Sequence, residues 1–170
     1  MKARTFLACA ALVATACGED SPSAPSSGSA VLRANVAASA EIPPVTGAEA
    51  GGVGTATLTL TTTRDRDGVI TGATLDTTIA VSGFPAGTRF TGASIQVGGA
   101  AANGAVVQDT GLAAQGGAVL ASGTGTITAR GTPVSALVAN ALLANPAGYY
   151  LNLQSALNPA GVTRGQLLFP

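Results

Sequence analysis

Two short stretches of the chain set polar side chains at the spacing that chemistry on a β-strand uses. In "GASIQVG", Ser94 and Gln96 stand two residues apart, and in "GYYLNLQS" so do Tyr150, Asn152 and Gln154. Residues two apart on a strand point to the same face, with Cα atoms roughly 6.5 to 7 Å apart, so each stretch presents a polar row. Two histidines so placed would share a metal ion. Hydroxyls and carboxamides offer no neutral imidazole lone pair and are poor ligands for transition metals. They donate and accept hydrogen bonds, which suits a sugar or a peptide edge and equally suits a polar sheet face turned to water.

The rest of the inventory narrows the chemistry further. The chain contains no histidine, which removes Ser-His-Asp triads, Cys-His pairs and zinc sites of the usual kind. The single lysine, Lys2, lies at the N-terminus, so a serine-lysine pair within the folded domain is excluded. Asp65 and Asp67 alternate with Arg64 and Arg66 in "TRDRDG", the pattern of a solvated turn rather than of paired catalytic carboxylates. The glycine runs "GGVGTA" and "GGAAANG" are followed by no GK[ST] and read as turns or bulges, not phosphate loops. Eight basic residues balance eight acidic ones without a basic cluster, so a nucleic-acid partner is excluded on charge. A non-catalytic protein without metal or cofactor is the expectation.

The N-terminus carries a different kind of signal. "MKARTFLACAALVATAC" has two early positive charges, an apolar run of signal-peptide length and a small-residue stretch ending at Cys17. The run is short of the roughly 20 apolar residues needed to span a bilayer. Val13-Ala14-Thr15-Ala16 resembles the lipobox of bacterial lipoproteins, with Ala14 where leucine is usual. Residues 1–16 are therefore expected to be a signal peptide and Cys17 a lipidated first residue. Cys9 would leave with the signal, so the mature chain keeps one cysteine and no internal disulfide. The Ser-, Pro- and Gly-rich stretch that follows reads as a flexible tether, giving 17–29 as anchor and tether and 30–170 as the domain. Removal of the signal leaves six arginines against eight acids, a net charge of −2.

From Ala30 onward the elements that must position the polar rows alternate with period two. "TATLTLTTT" sets Ala56, Leu58 and Leu60 opposite a row of threonines, and "ATLDTTIAVSG" sets Leu75, Thr77, Ile79 and Val81 on one face. The charged turn ending in Asp67-Gly68 joins them as a hairpin. Further strands are expected in "SAVLRANVAA", "TRFTGASIQVG", "GAVVQDT", "AVLASGTGTITA", "GYYLNLQS" and "VTRGQLLF". One helix is expected in "TPVSALVANALLANPAG", capped by Thr132 with Pro133 at its first position. The sum is an all-β protein. It is expected to be an antiparallel β-sandwich of about eight strands, immunoglobulin-like or superoxide-dismutase-like, with one short helix.

Three segments together resemble the signature blocks of the CHRD domain family, which is named for the repeats in chordin and is common in bacterial secreted proteins. They are "ANVAASAEIPPVTGAEAGGVGTATLTL", "VSGFPAGTRFTGASIQVGGAAANGAVV" and "NPAGYYLNLQSALNPAGVTRGQLLFP". The Tyr-Tyr-hydrophobic-Asn strand, the Pro-x-Gly turn and the Arg-Gly-Gln strand of the third block carry most of the likeness. Family members commonly show histidines at the positions of Ser94, Gln96 and Gln154, so the resemblance implies a member that has lost that chemistry. Taken with the N-terminal signal and Cys17, it implies a membrane-anchored extracytoplasmic binding or structural module in the bacterial cell envelope, facing periplasm or exterior. A protein or glycan would be its partner. The alternative is a metal-dependent or metal-binding domain whose histidine site has gone.

Arg164 shares a face with Val162, Gln166 and Leu168 in the last block and is expected to be partly buried, where its guanidinium needs acceptors. Glu41 of the first block, or nearby backbone carbonyls, would supply them, which makes Glu41, Arg164 and Gln166 candidate structural residues. The anchor is directly testable. Cys17→Ser is expected to abolish incorporation of a clickable fatty acid and to leave the protein uncleaved or soluble; a wild-type protein that takes up no label and washes off membranes in plain buffer would refute the anchor.

Overall fold

The protein is described by a computed structural model covering residues 25–170; Cys17 and the expected signal peptide lie outside the described residues. The period-two stretches form strands, and the strands form one antiparallel sheet. They are β1 (Ser26–Ala37), β2 (Val53–Arg64), β3 (Ile70–Ser82), β4 (Arg89–Val97), β5 (Val106–Asp109), β6 (Ala118–Val119), β7 (Gly125–Val134), β8 (Tyr149–Ser155) and β9 (Thr163–Gln166). Among the described residues the one α-helix, α1 (Ala136–Ala144), lies between β7 and β8. The strand order is β5-β4-β8-β9-β1-β2-β3-β7, with β6 paired to β4.

The alternation read from the sequence sets which face is inside. Leu58, Leu60 and Leu75 are fully buried, and Ala56, Ile79 and Val81 lie beside them in the core with Leu32, Ala34 and Val36 of β1. Thr57, Thr59, Thr74 and Thr78 of the alternate rows point outward, as the pleat requires, while Thr77 is buried in the inward row of β3. The β2–β3 hairpin closes on the Asp65 carboxylate, which accepts from the backbone N–H groups of Asp67 at 3.0 Å and Val69 at 2.9 Å. Gly68 takes the positive φ of 80° that the turn needs.

Two expectations about the fold are corrected. The strands belong to one continuous sheet instead of the two stacked sheets of a sandwich, because the short β9 bridges β8 to β1. Beyond β9 the chain continues along β1, where Arg33 and Leu168 exchange backbone hydrogen bonds at 2.8 and 2.9 Å. Gly165 makes the junction feasible, since a Cβ there would run into the Asn35 carbonyl oxygen. The ends of the sheet then approach each other as in a nearly closed barrel. Gln108 Nε2 donates to the Pro133 carbonyl at 3.1 Å and Thr132 Oγ1 donates to the Thr110 carbonyl at 2.6 Å, so side chains close the seam between β5 and β7.

The second correction concerns the boundaries of elements. Thr132 and Pro133 are the end of β7, paired with Leu75 and Thr74, and the helix is capped instead by Ser135, whose Oγ accepts from the Val138 N–H at 3.2 Å. The Thr132 hydroxyl is committed to the seam and cannot cap. Proline is tolerated there because β7 is an edge strand, where a missing N–H costs no ladder bond. "AVLASGTGTITA" splits into β6 and β7 around Gly123, whose φ is 77°. At the other end β1 starts at Ser26, so the last four residues of the expected tether are part of the sheet.

The role given to Gly165 predicts that Gly165→Ala destabilises the fold by on the order of 2 to 4 kcal/mol, as forced backbone displacements do. Urea melts measure it; a loss below about 0.5 kcal/mol would show that β9 and β1 have slack.

Candidate functional site

The polar rows of β4 and β8 are brought side by side, with Ser94 opposite Asn152 and Gln96 opposite Tyr150. Ala93, Ile95, Leu151 and Leu153 occupy the alternate positions and point into the core. The polar rows therefore lie on the outer face of the sheet, yet they are not solvated as a free outer face would be. Ser94, Gln96, Tyr150 and Asn152 are buried and Gln154 is half-buried. The reading of an ordinary solvated row is corrected: loops fold over this face.

Under the loops the side chains bond to one another. Ser94 Oγ accepts from Gln96 Nε2 at 3.2 Å and from Gln154 Nε2 at 3.1 Å. Gln96 Oε1 accepts from the Tyr150 hydroxyl at 2.5 Å, and that hydroxyl in turn accepts from the Gly104 N–H at 3.1 Å. At the positions where the family resemblance expects histidine, this chain builds a carboxamide and hydroxyl network. Among the described residues no three His, Cys, Asp or Glu side chains come together as metal ligands.

Arg164 lies next to this network on β9, opposite Asn152, and only 2% of it is exposed. Its guanidinium lies over the Tyr150 ring, 3.6 Å from the centroid, a cation–π arrangement. The fork donates to the carbonyls of Gly99 and Ala102 and to Asn103 Oδ1, each at 3.0 Å. All three acceptors come from the loop between β4 and β5. Of the two acceptor sources expected for Arg164, the backbone carbonyls are the ones used, and Glu41 forms no ion pair with it. Gln166 extends the same clasp, its amide reaching the carbonyls of Gly98 at 2.8 Å and of Ala147 and Tyr149 at 2.7 Å.

Beside the clasp opens a cleft of about 440 Å³, within the roughly 300 to 1,000 Å³ usual for ligand sites. One wall is the segment from Glu41 to Thr46, and the other is the turn through Asn158, Ala160 and Gly161. Gln96, Asn103 and Asn152 form the rest of the lining. Asn103 fastens the first wall, donating from Nδ2 to the Ile42 carbonyl at 2.7 Å while Oδ1 serves Arg164. Asn158 fastens the second, donating from Nδ2 to buried Glu49 at 2.6 Å; Ser155 Oγ donates to the same carboxylate oxygen at 2.6 Å.

Glu41 is the only charged residue in that lining. Burial pushes its carboxyl up to about 7, against a smaller opposing pull from the Arg164 charge. Its Oε1 and the Asn152 Oδ1 are both buried without a hydrogen-bond partner. A Cβ on Gly161 would lie 2.8 Å from the first and 2.5 Å from the second, so the two oxygens converge on the same point over Gly161.

The three sequence blocks that carry the family resemblance therefore meet here. Glu41 comes from the first, Gln96 and Asn103 from the second, and Tyr150, Asn152, Gly161, Arg164 and Gln166 from the third. The CHRD domain pattern matches residues 15–167. The chain belongs to the CHRD domain family. No curated protein and no solved structure matches the chain. Sequence reasoning missed Asn103, Asn158, Gly161, Glu49 and Ser155. Asn103 had one legible signal, being the only polar side chain in the loop "GGAAANG" of this CHRD domain.

Two predictions follow from the geometry. Arg164→Ala leaves loop carbonyls and the Tyr150 face without their partner and is expected to cost on the order of 2 to 4 kcal/mol in urea melts. Arg164→Lys should recover less than half of that, because an ammonium cannot reproduce the planar fork. For Glu41, the raised value means that the folded state holds the proton more tightly than the unfolded chain. Its contribution is present in full below about pH 4.5 and is lost as pH rises through about 7, on the order of 3 kcal/mol in all. The stability difference between pH 5 and pH 8 should shrink in Glu41→Gln; an unchanged difference would place the titration elsewhere.

Proposed function

We propose that this CHRD domain is a non-catalytic binding module, held on the extracytoplasmic side of a bacterial envelope by lipid on Cys17, and that the Glu41–Asn152 cleft is where it binds. The observation that supports this most directly is the construction of the cleft. Two walls, each pinned by an asparagine side chain, face each other across a polar floor, and apart from one buried oxygen each of Glu41 and Asn152 the polar side chains beneath it are bonded within the protein. Gln96, Tyr150 and Ser94 are bonded to one another, and Arg164 is bonded to the loop. An enzyme keeps a nucleophile or base free to reach its substrate; a binding module needs a shaped, rigid surface. Family membership agrees with a binding or structural role.

Thr46 is exposed at the rim of the cleft, so Thr46→Trp should fill the mouth without disturbing the core. Full-length wild-type protein, incubated with detergent-solubilised envelope, is expected to retain envelope components that Thr46→Trp does not retain. Equal recovery by the two proteins would take the binding function away from the cleft.

A further inference from the structure

Four buried side-chain oxygens lack a partner among the described residues: Glu41 Oε1, Thr77 Oγ1, Asn152 Oδ1 and Thr163 Oγ1. The two threonine hydroxyls are separate cases. The other two converge over Gly161, and both belong to residues more than nine-tenths buried, Glu41 at 8% exposure and Asn152 at 4%. Asn152 is oriented by its own amide, since Nδ2 donates to the Ala160 carbonyl at 3.0 Å and leaves Oδ1, near Glu41 Oε1 over Gly161, without a donor. Two acceptors directed at one point repel each other unless a proton lies between them. A carboxylic acid supplies that proton, because its neutral form is a donor.

We propose that Glu41 keeps its proton in the folded protein and shares it with Asn152 Oδ1, and that the cleft so closed, bearing no formal charge, is a site for a neutral carbohydrate. This rests on the cleft being the binding site, as proposed above. With Glu41 neutral, the lining is carboxamides, prolines, aliphatic side chains and the Thr46 hydroxyl. An anion would find no cation in the lining, because Arg164 is buried and its fork is occupied by Gly99, Ala102 and Asn103. An ammonium would find no carboxylate and would have the Arg164 charge close by. Sugar hydroxyls both donate and accept, which matches carboxamides, and the rings of Pro43 and Pro44 offer an apolar surface for a sugar ring.

The proton also ties the two walls together, since Glu41 begins one wall and Gly161 ends the other. The charged and titratable groups around Glu41 are few. Arg164 approaches from β9 and Tyr150 from β8, and Glu49 is held beyond Asn158 by its own donors. The loop 98–104, the turn 156–161 and the segment 42–46 contain no titratable side chain. Losing the proton leaves a buried carboxylate facing an amide oxygen, offset only in part by Arg164, and the walls separate.

The test uses full-length protein in detergent on an array of neutral, sulfated and amino-bearing oligosaccharides, read at pH 6 and pH 8. Neutral glycans are expected to bind at pH 6. Binding should weaken about tenfold by pH 8, as the competent protonated fraction falls. Glu41→Gln, whose amide can donate to Asn152 at either pH, should lose that pH dependence, and Thr46→Trp should lose binding at both. Preference for sulfated or amino-bearing glycans, or the same tenfold weakening in Glu41→Gln, overturns the inference. If Thr46→Trp abolishes capture of envelope components while no neutral glycan binds, the cleft remains the binding site and only its proposed ligand class fails.

Discussion

Burying a guanidinium is costly unless its donors are answered, and among the described residues Arg164 is answered without a bonded carboxylate. Its fork is occupied by two carbonyls and one asparagine oxygen of the loop 98–104, and its face by Tyr150. The rest of the site depends on this arrangement. The loop, which has glycine and alanine almost throughout, has little apolar surface with which to fold on its own. It is shaped by the charge it surrounds. Once in place, it supplies Gly104 N–H to Tyr150 and Asn103 to the Ile42 carbonyl, so one cation organises the cover of the β4–β8 face and one wall of the cleft.

Serine and glutamine at positions 94, 96 and 154, where the family resemblance leads one to expect histidine, have a physical logic in this setting. An imidazole pair on alternate strand positions is useful when it stays accessible to a ligand. Here the same positions carry groups that satisfy one another: Ser94 receives two amides and Gln96 receives a phenol. Buried polar networks of this kind hold side chains in one arrangement when every member is bonded. The unpartnered oxygens of the neighbourhood are displaced to its margin, at Glu41 and Asn152. That margin is also where the cleft opens.

Closure of the sheet follows a similar economy. A nine-stranded sheet has two edges open to pairing with other chains. The edges at β5 and β7 are turned toward each other, and carbonyls of β7 are capped by amides, Gln108 on Pro133 and Gln115 on Arg130. Pro133 removes a donor from the same edge. Side chains thus complete what the backbone ladder leaves unfinished.

The sequence by itself determined the β class, the inward rows of β2 and β3, the Asp67-Gly68 hairpin and the family, because period-two alternation and turn chemistry act over a few residues and leave a local trace. It also narrowed the chemistry, since a chain without histidine cannot carry an imidazole site wherever it folds. It misplaced the helix start because Thr132 has the composition of a cap, while its hydroxyl is claimed by Thr110, 22 residues away in the chain. It read Ser94 and Gln154 as one polar face without showing that loops bury it. Only the tertiary structure decided that Glu41, Asn152 and Gly161 share a point in space. Convergence of atoms separated by more than a hundred residues leaves no periodicity, and whether a carboxyl keeps its proton is set by the surroundings that the fold builds around it.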